Sequence, residues 1–163
     1  MSRPGIVSHL RIRGHVIFKL HDAAGRVQST ERHNLVVDAG LEVLAKLLAG
    51  TAEDNDQITY IGVGTGGHAE GDPTLPLPPN PDDTALEAEV ARHTIDSTSH
   101  PGGGLAVMAC TFDKDVANGD ITEAGLFTLG GTLVSRVTRT PVTKTSDWYL
   151  TVTWQLALSN EEA

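Results

Sequence analysis

From His9 to His21 the chain alternates. Leu10, Ile12, Val16, Phe18 and Leu20 fall on one face, and Arg11, Arg13, His15, Lys19 and His21 on the other. A period of two over so long a run predicts a half-buried antiparallel strand. Asp22-Ala23-Ala24-Gly25 follows with turn chemistry, and 27–36 is expected to return, so 9–36 reads as a β-hairpin. The period then changes. Leu41, Val43, Leu44, Leu47 and Leu48 recur at helical spacing, with Asp38 as an N-cap and Gly50 as a stop. This predicts a helix over 39–49, in a unit running from cap to stop over 38–50, whose apolar stripe covers a sheet face.

Beyond an acidic loop at 51–57, Ile58 to Val63 reads as a short buried strand running into Gly64-Thr65-Gly66-Gly67. Residues 68–83 form a loop with prolines at 73, 76, 78, 79 and 81, stiff and extended rather than floppy. For 84–92, propensity favours a short helix capped by Asp83 or Thr84, with an extended segment as the alternative. A weak strand is expected at 93–97, a break at Gly102-Gly103-Gly104, and strands at 105–112, 121–129, 131–140 and 148–158. Asn118-Gly119 is a hairpin signal. In the last strand Trp148, Leu150, Val152, Trp154, Leu156 and Leu158 share the core face, and 159–163 is expected to fray. The expected fold is mainly β: an antiparallel β-sandwich over 58–158 with an N-terminal hairpin and one short covering helix, in one domain over 1–163.

Composition narrows the function. The 163 residues carry 12 Lys+Arg against 21 Asp+Glu, a net charge of −9, which disfavours nucleic acid and anionic membranes as partners. No apolar run reaches the ~18 residues of a membrane span, and Met1 to Gly5 lead into a polar segment without the core of a secretory signal. Cys110 is the sole cysteine and sits in an apolar run, which predicts a buried, inert thiol. His9, His15 and His21 lie roughly 20 Å apart end to end along one strand, too far to share an ion. The other histidines lack metal-ligand spacing, so no metal or cofactor is expected. The glycine-rich turn at 62–67 invites comparison with a phosphate cradle, but no helix N-terminus follows it. Asp113, Asp115, Asp120 and Glu123 read as turn chemistry, and no nucleophile elbow or fixed carboxylate pair is evident.

One ordered series of motifs stands out. Asn34-Leu35-Val36-Val37-Asp38-Ala39-Gly40-Leu41 opens the helix. Ile58-Thr59-Tyr60-Ile61-Gly62-Val63-Gly64-Thr65-Gly66 follows, then Asp83-Thr84-Ala85-Leu86 through Arg92. Ala117-Asn118-Gly119-Asp120-Ile121-Thr122-Glu123-Ala124-Gly125-Leu126-Phe127, Gly131 to Val137 and Val142 to Val152 complete it. The series, over about 33–158, resembles a group of small bacteriophage and prophage structural proteins of the tail-fibre, baseplate-associated or minor virion type. The resemblance implies a β-rich, non-enzymatic module without cofactor, made in the host cytoplasm and built into the virion. Its partners would be copies of itself, as a homo-oligomer, and other virion proteins. The loop 68–83 and the hairpin 9–36 depart from the family pattern. A tail position is expected first. Capsid decoration or a head fibre is the alternative, and a small hydrolase or carbohydrate-binding module a further one. Partner contacts are expected at Pro76, Leu77, Pro78 and Pro79, where the extended loop reaches out, and at Arg11 and Arg13, a basic face on an acidic chain.

Overall fold

The computed structural model describes residues 8–162. In chain order its elements are β1 (Ser8–His21), β2 (Val27–Val36), α1 (Asp38–Ala49), a 3-10 turn (Asp54–Asp56), β3 (Ile58–Gly64), β4 (His68–Ala69) and β5 (Asp72–Pro76). Then come β6 (Glu89–Thr94), β7 (Ser97–Gly102), β8 (Leu105–Phe112), β9 (Gly119–Thr128), β10 (Leu133–Lys144) and β11 (Tyr149–Glu162). The mainly-β, antiparallel expectation holds, with its hairpin and its one covering helix.

Nine strands form a single sheet in the order β6-β3-β9-β10-β2-β1-β11-β8-β7, and β4 pairs with β5. The large sheet folds over into two layers. β2 turns one corner: Val27 to Asn34 face His21 to Gly14 of β1, whereas Leu35 and Val36 face Arg136 and Ser135 of β10. At the other corner Ile95 and Asp96 join β6 to β7. The Ile95 N–H donates to the Thr59 carbonyl in one layer, and the Asp96 N–H to the Ala109 carbonyl in the other. The two edges of the sheet are therefore halves of one bent segment. The bend joins the two layers at this corner, while β6 and β7 each pair on one side alone. The N-terminal hairpin lies at the middle of this sheet, not beside it.

The core fills the space between the layers. Val16, Phe18 and Leu20 of β1, Val152, Trp154 and Leu156 of β11 and Cys110 and Phe112 of β8 are buried in one cluster with Ile61, Val63, Leu126 and Val137. Period-two burial explains why these strands were readable: one face is apolar because one face is inside. Trp154 is fully buried. Trp148 precedes β11 and is half-buried, with the Arg26 guanidinium 5.1 Å from its ring.

α1 lies against β10. Val37, not Asp38, occupies the N-cap position; Asp38 sits in the first turn, where its charge suits the helix dipole, and its N–H donates to the Pro81 carbonyl at 2.7 Å. Gly50 ends the helix at φ 68°, as expected. Gly40 is buried, and a Cβ built on it would fall inside the Val134 carbonyl. Gly40→Ala would gain about 1 kcal/mol in a free helix. Here the helix must lift off β10, so the variant is expected to lose about 1–3 kcal/mol. Urea denaturation checks the sign.

Three expectations are corrected. Residues 84–92 are not helical. Leu86 is buried with Val37, Phe127 and Leu133, and 89–94 pairs with β3, so tertiary contacts override propensity. Asn118-Gly119 does not close a hairpin, because β8 pairs with β11 and β7 while β9 pairs with β3 and β10; residues 113–118 arch between the layers. Residues 159–162 do not fray, since β11 continues opposite Arg11 to Ser8; Ala163 lies outside the described residues.

Candidate functional site

The outer face of β9 is covered. Ile121 to Thr128 are all buried, because the chain from Thr65 to Ala88 folds back over them as an arm. Beneath this arm lies Glu123, fully buried. Its carboxylate accepts from the N–H groups of Gly66 (3.2 Å), Glu87 (3.1 Å) and Ala88 (2.7 Å). It also accepts from Arg136 Nη2 at 2.7 Å and Nε at 3.3 Å. Arg136 reaches on through Nη1 to Asp83 at 2.7 Å. Burial alone would depress the Arg136 guanidinium, but its bonds to Asp83 and Glu123 outweigh that and raise it. Glu123 was expected to be turn chemistry. It is instead the centre of a buried ion triad joining two strands to the arm.

The glycine-rich turn is explained by this carboxylate. A Cβ on Gly64 would stand 2.6 Å from Glu123 Oε1 and from the Ala88 carbonyl, and one on Gly66 2.8 Å from Oε1. Gly67 has φ 74°. The turn does cradle an anion, but an internal one. With five N–H donors on its two oxygens and no exposure, Glu123 is a clamp.

The clamp fixes the arm's outer parts. Leu77 donates its N–H to the Gly67 carbonyl and accepts from the Thr138 hydroxyl. His68 turns both ring nitrogens to carbonyl oxygens, Nδ1 to Ala69 at 2.8 Å and Nε2 to Thr65 at 2.9 Å. Its pKa is raised, first by the Ala69 carbonyl and, against a burial penalty, by that of Thr65 and the Glu87 and Asp72 charges. Leu75 and Leu77 remain about half exposed, at 55% and 51%. Pro76 and Pro78 are exposed and Pro79 is half-buried, so the four expected loop contacts lie together on one stiff segment. The loop is not featureless: β4 and β5 form a small ladder within it, closed by Gly71 at φ 74°.

The other two expected contacts lie elsewhere. Arg11 is half-buried and engaged with a neighbour, so it is not a spare cation. Arg13 is exposed beside His15, Gln155 and Ala157, on the layer opposite the arm. Cys110 is buried, and desolvation, with the Asp96 charge, pushes its thiol up to about 12, an inert thiol as expected. Among the described residues no group of three His, Cys, Asp or Glu side chains could hold a metal ion, and no helix is long and apolar enough to cross a membrane.

Two features escaped sequence reasoning. At the α1 end of the sandwich, Leu10, Leu48 and Leu158 are 58%, 74% and 40% exposed and border an apolar groove with Ile12, Leu44 and Leu47. Lys144 is buried, its ammonium donating to the carbonyls of Asp113 and Lys114 and to Asn118 Oδ1, which fixes the 113–118 arch. Burial lowers its pKa, against the Asp115 and Asp113 charges. The chain matches no protein-family model and no curated protein sequence.

Proposed function

We propose that this chain is a non-enzymatic structural component of a bacteriophage virion, seated at the tail as a baseplate or tail-fibre adaptor. It acts through contacts with copies of itself and with other virion proteins. The motif series over about 33–158 supplies the virion assignment. The observation that carries the assembly role is the clamped arm. A proline-stiffened segment held by a buried ion triad presents two large apolar side chains, Leu75 and Leu77, to solvent. A preorganised segment loses little conformational entropy when a partner covers it.

Point changes test this more cleanly than deletion, because Pro81 takes the first N–H of α1. Leu75→Asp with Leu77→Asp is expected to change folding stability by no more than about 0.5 kcal/mol per site. The same variant is expected to be lost from purified particles, read by peptide mass spectrometry of separated heads and tails. Wild-type protein in the tail fraction supports the tail position, and protein in the head fraction replaces it with capsid decoration. Full incorporation of the double variant overturns the arm as the contact.

A further inference from the structure

A second cation is buried on the other side of β10, and it has no carboxylate. β10 bulges between Thr138 and Val142, where its register against β9 slips from Glu123 to Ile121. Bulges of this kind re-aim side chains, and this one precedes a wedge-shaped cleft. Past Leu35 and Val36, β2 parts from β10 and pairs with β1 alone. The cleft between them, about 280 Å³, is lined by Phe18, Gln28, Thr30, Arg139, Pro141 and Thr143, among others.

Arg139 is 3% exposed. Its Nε donates to the Thr140 carbonyl at 2.7 Å and its Nη1 to the Thr30 hydroxyl at 2.5 Å, and its guanidinium carbon lies 4.7 Å from the centre of the Phe18 ring. A guanidinium has five N–H donors. Nη2 has no hydrogen-bond partner among the described residues and is not sealed in, and Arg139 is among the residues that line the cleft. No acidic side chain among the described residues makes an ion pair with Arg139 or with Arg32, which reaches across the rim to the Thr140 hydroxyl at 3.5 Å. Asp120 accepts from the Thr143 hydroxyl at 2.6 Å, and Glu31, beside Arg32 in β2, pairs with His15. Desolvation, with the Arg32 charge, pushes Arg139 down to about 10. Arg136, equally at home in β10, has two carboxylates; Arg139 has neutral acceptors and an open cleft. On a chain of net charge −9, two arginines converging without an acid call for an external anion.

We propose that the β2–β10 cleft is an anion site in which Arg139, assisted by Arg32, binds an oxyanion group. That group is either a free ion such as sulfate or phosphate, or a side-chain carboxylate of a second copy of this chain. A fork of guanidinium N–H groups matches either. Thr30 and Gln28 line the same cleft and supply further donors around it. The inference does not depend on the virion assignment.

The test uses the full chain. Sodium sulfate, phosphate and acetate are titrated at constant ionic strength against sodium chloride, reading the Arg139 Nε–H resonance and the melting temperature. Sedimentation over a concentration series in chloride is run alongside. Saturable shifts with sulfate, phosphate or acetate but not with chloride, in a chain of constant mass, support a free-ion site. Association that rises with concentration, is reversed by sulfate and is lost in Arg139→Gln supports a carboxylate from a second copy. Arg32→Gln leaves the buried guanidinium in place and guards against a misfolded Arg139→Gln. It is expected to weaken sulfate binding or association about three- to tenfold. Shifts that are linear, shared by chloride or unchanged in Arg32→Gln and Arg139→Gln, with no association, overturn the proposal.

Discussion

Glu123→Ala is expected to cost about 3–5 kcal/mol, because it removes the fully buried partner of a buried ion pair. Arg136 would keep Asp83, which is the more solvated of its two carboxylates. Three backbone N–H groups, of Gly66, Glu87 and Ala88, would also lose their acceptor. Each orphaned buried donor costs about 1–3 kcal/mol if water cannot reach it. The arm has an alternative to paying this in full, which is to lift. The loss should therefore show first as proteolysis between about 70 and 82, before global unfolding. A paired replacement separates the two contributions. Glu123→Leu with Arg136→Leu removes both charges, and apolar substitution of buried pairs is often neutral. Here it is expected to recover part of the loss and no more, since the three amides still lack an acceptor and Asp83 loses its guanidinium. Full recovery in urea denaturation would mean that the amides are not what the carboxylate holds.

Much of the frame could be read from the chain because it is written locally. β1 and β11 alternate over long runs, α1 shifts to helical spacing and stops at a glycine, and β8 is a short apolar run. What could not be read depends on segments far apart in sequence. Residues 84–88 carry helix formers, and their extended path is set by Leu86 docking on Phe127 and by the Glu123 carboxylate, some 35 residues on. Glu123 itself sits among Asp120, Ile121 and Thr122, which reads as the end of a turn until the arm is laid over it. The bend that joins the two layers was hidden for the same reason. Nothing in Ile95-Asp96 announces that the chain changes layers there.

Both candidate sites share one signal. Glu123, Arg136, Arg139 and Lys144 are charges within β9 and β10, and all four are buried. Alternation assigns such residues to the solvent face by default. In this protein the outward face of β9 and part of β10 is roofed by the arm, so the default fails. The contrast between the two arginines is then informative. The one that meets Glu123 and Asp83 completes a clamp, and the one that meets no acid lines a cleft.

Gly14→Ala is expected to be among the most damaging conservative changes, at about 2–4 kcal/mol, by adding strain and freeing a buried donor. Gly14 lies in the middle of β1 opposite Asn34, where a glycine costs strand propensity. Its hydrogen is the space that Asn34 uses: a Cβ there would overlap the Asn34 amide. Oriented by its partners, that amide donates to the Gly14 carbonyl at 2.7 Å and accepts from the indole N–H of Trp154 at 2.8 Å, beside the Ser135 hydroxyl. Trp154 is the largest fully buried side chain, and this is what satisfies its polar atom. Adding the methyl group expels Asn34 and leaves the indole N–H orphaned in the core. Asn34→Ala alone orphans the same N–H but creates room. The two changes therefore overlap, and Gly14→Ala should cost at least about 1 kcal/mol less in the Asn34→Ala background than in the wild type. Trp154→Phe supplies the control, since it deletes the donor while keeping most of the ring, and Gly14→Ala in that background should show strain alone. Additive costs across the cycle, measured by urea denaturation, would show that Gly14 and Asn34 act independently and that the glycine is there for another reason.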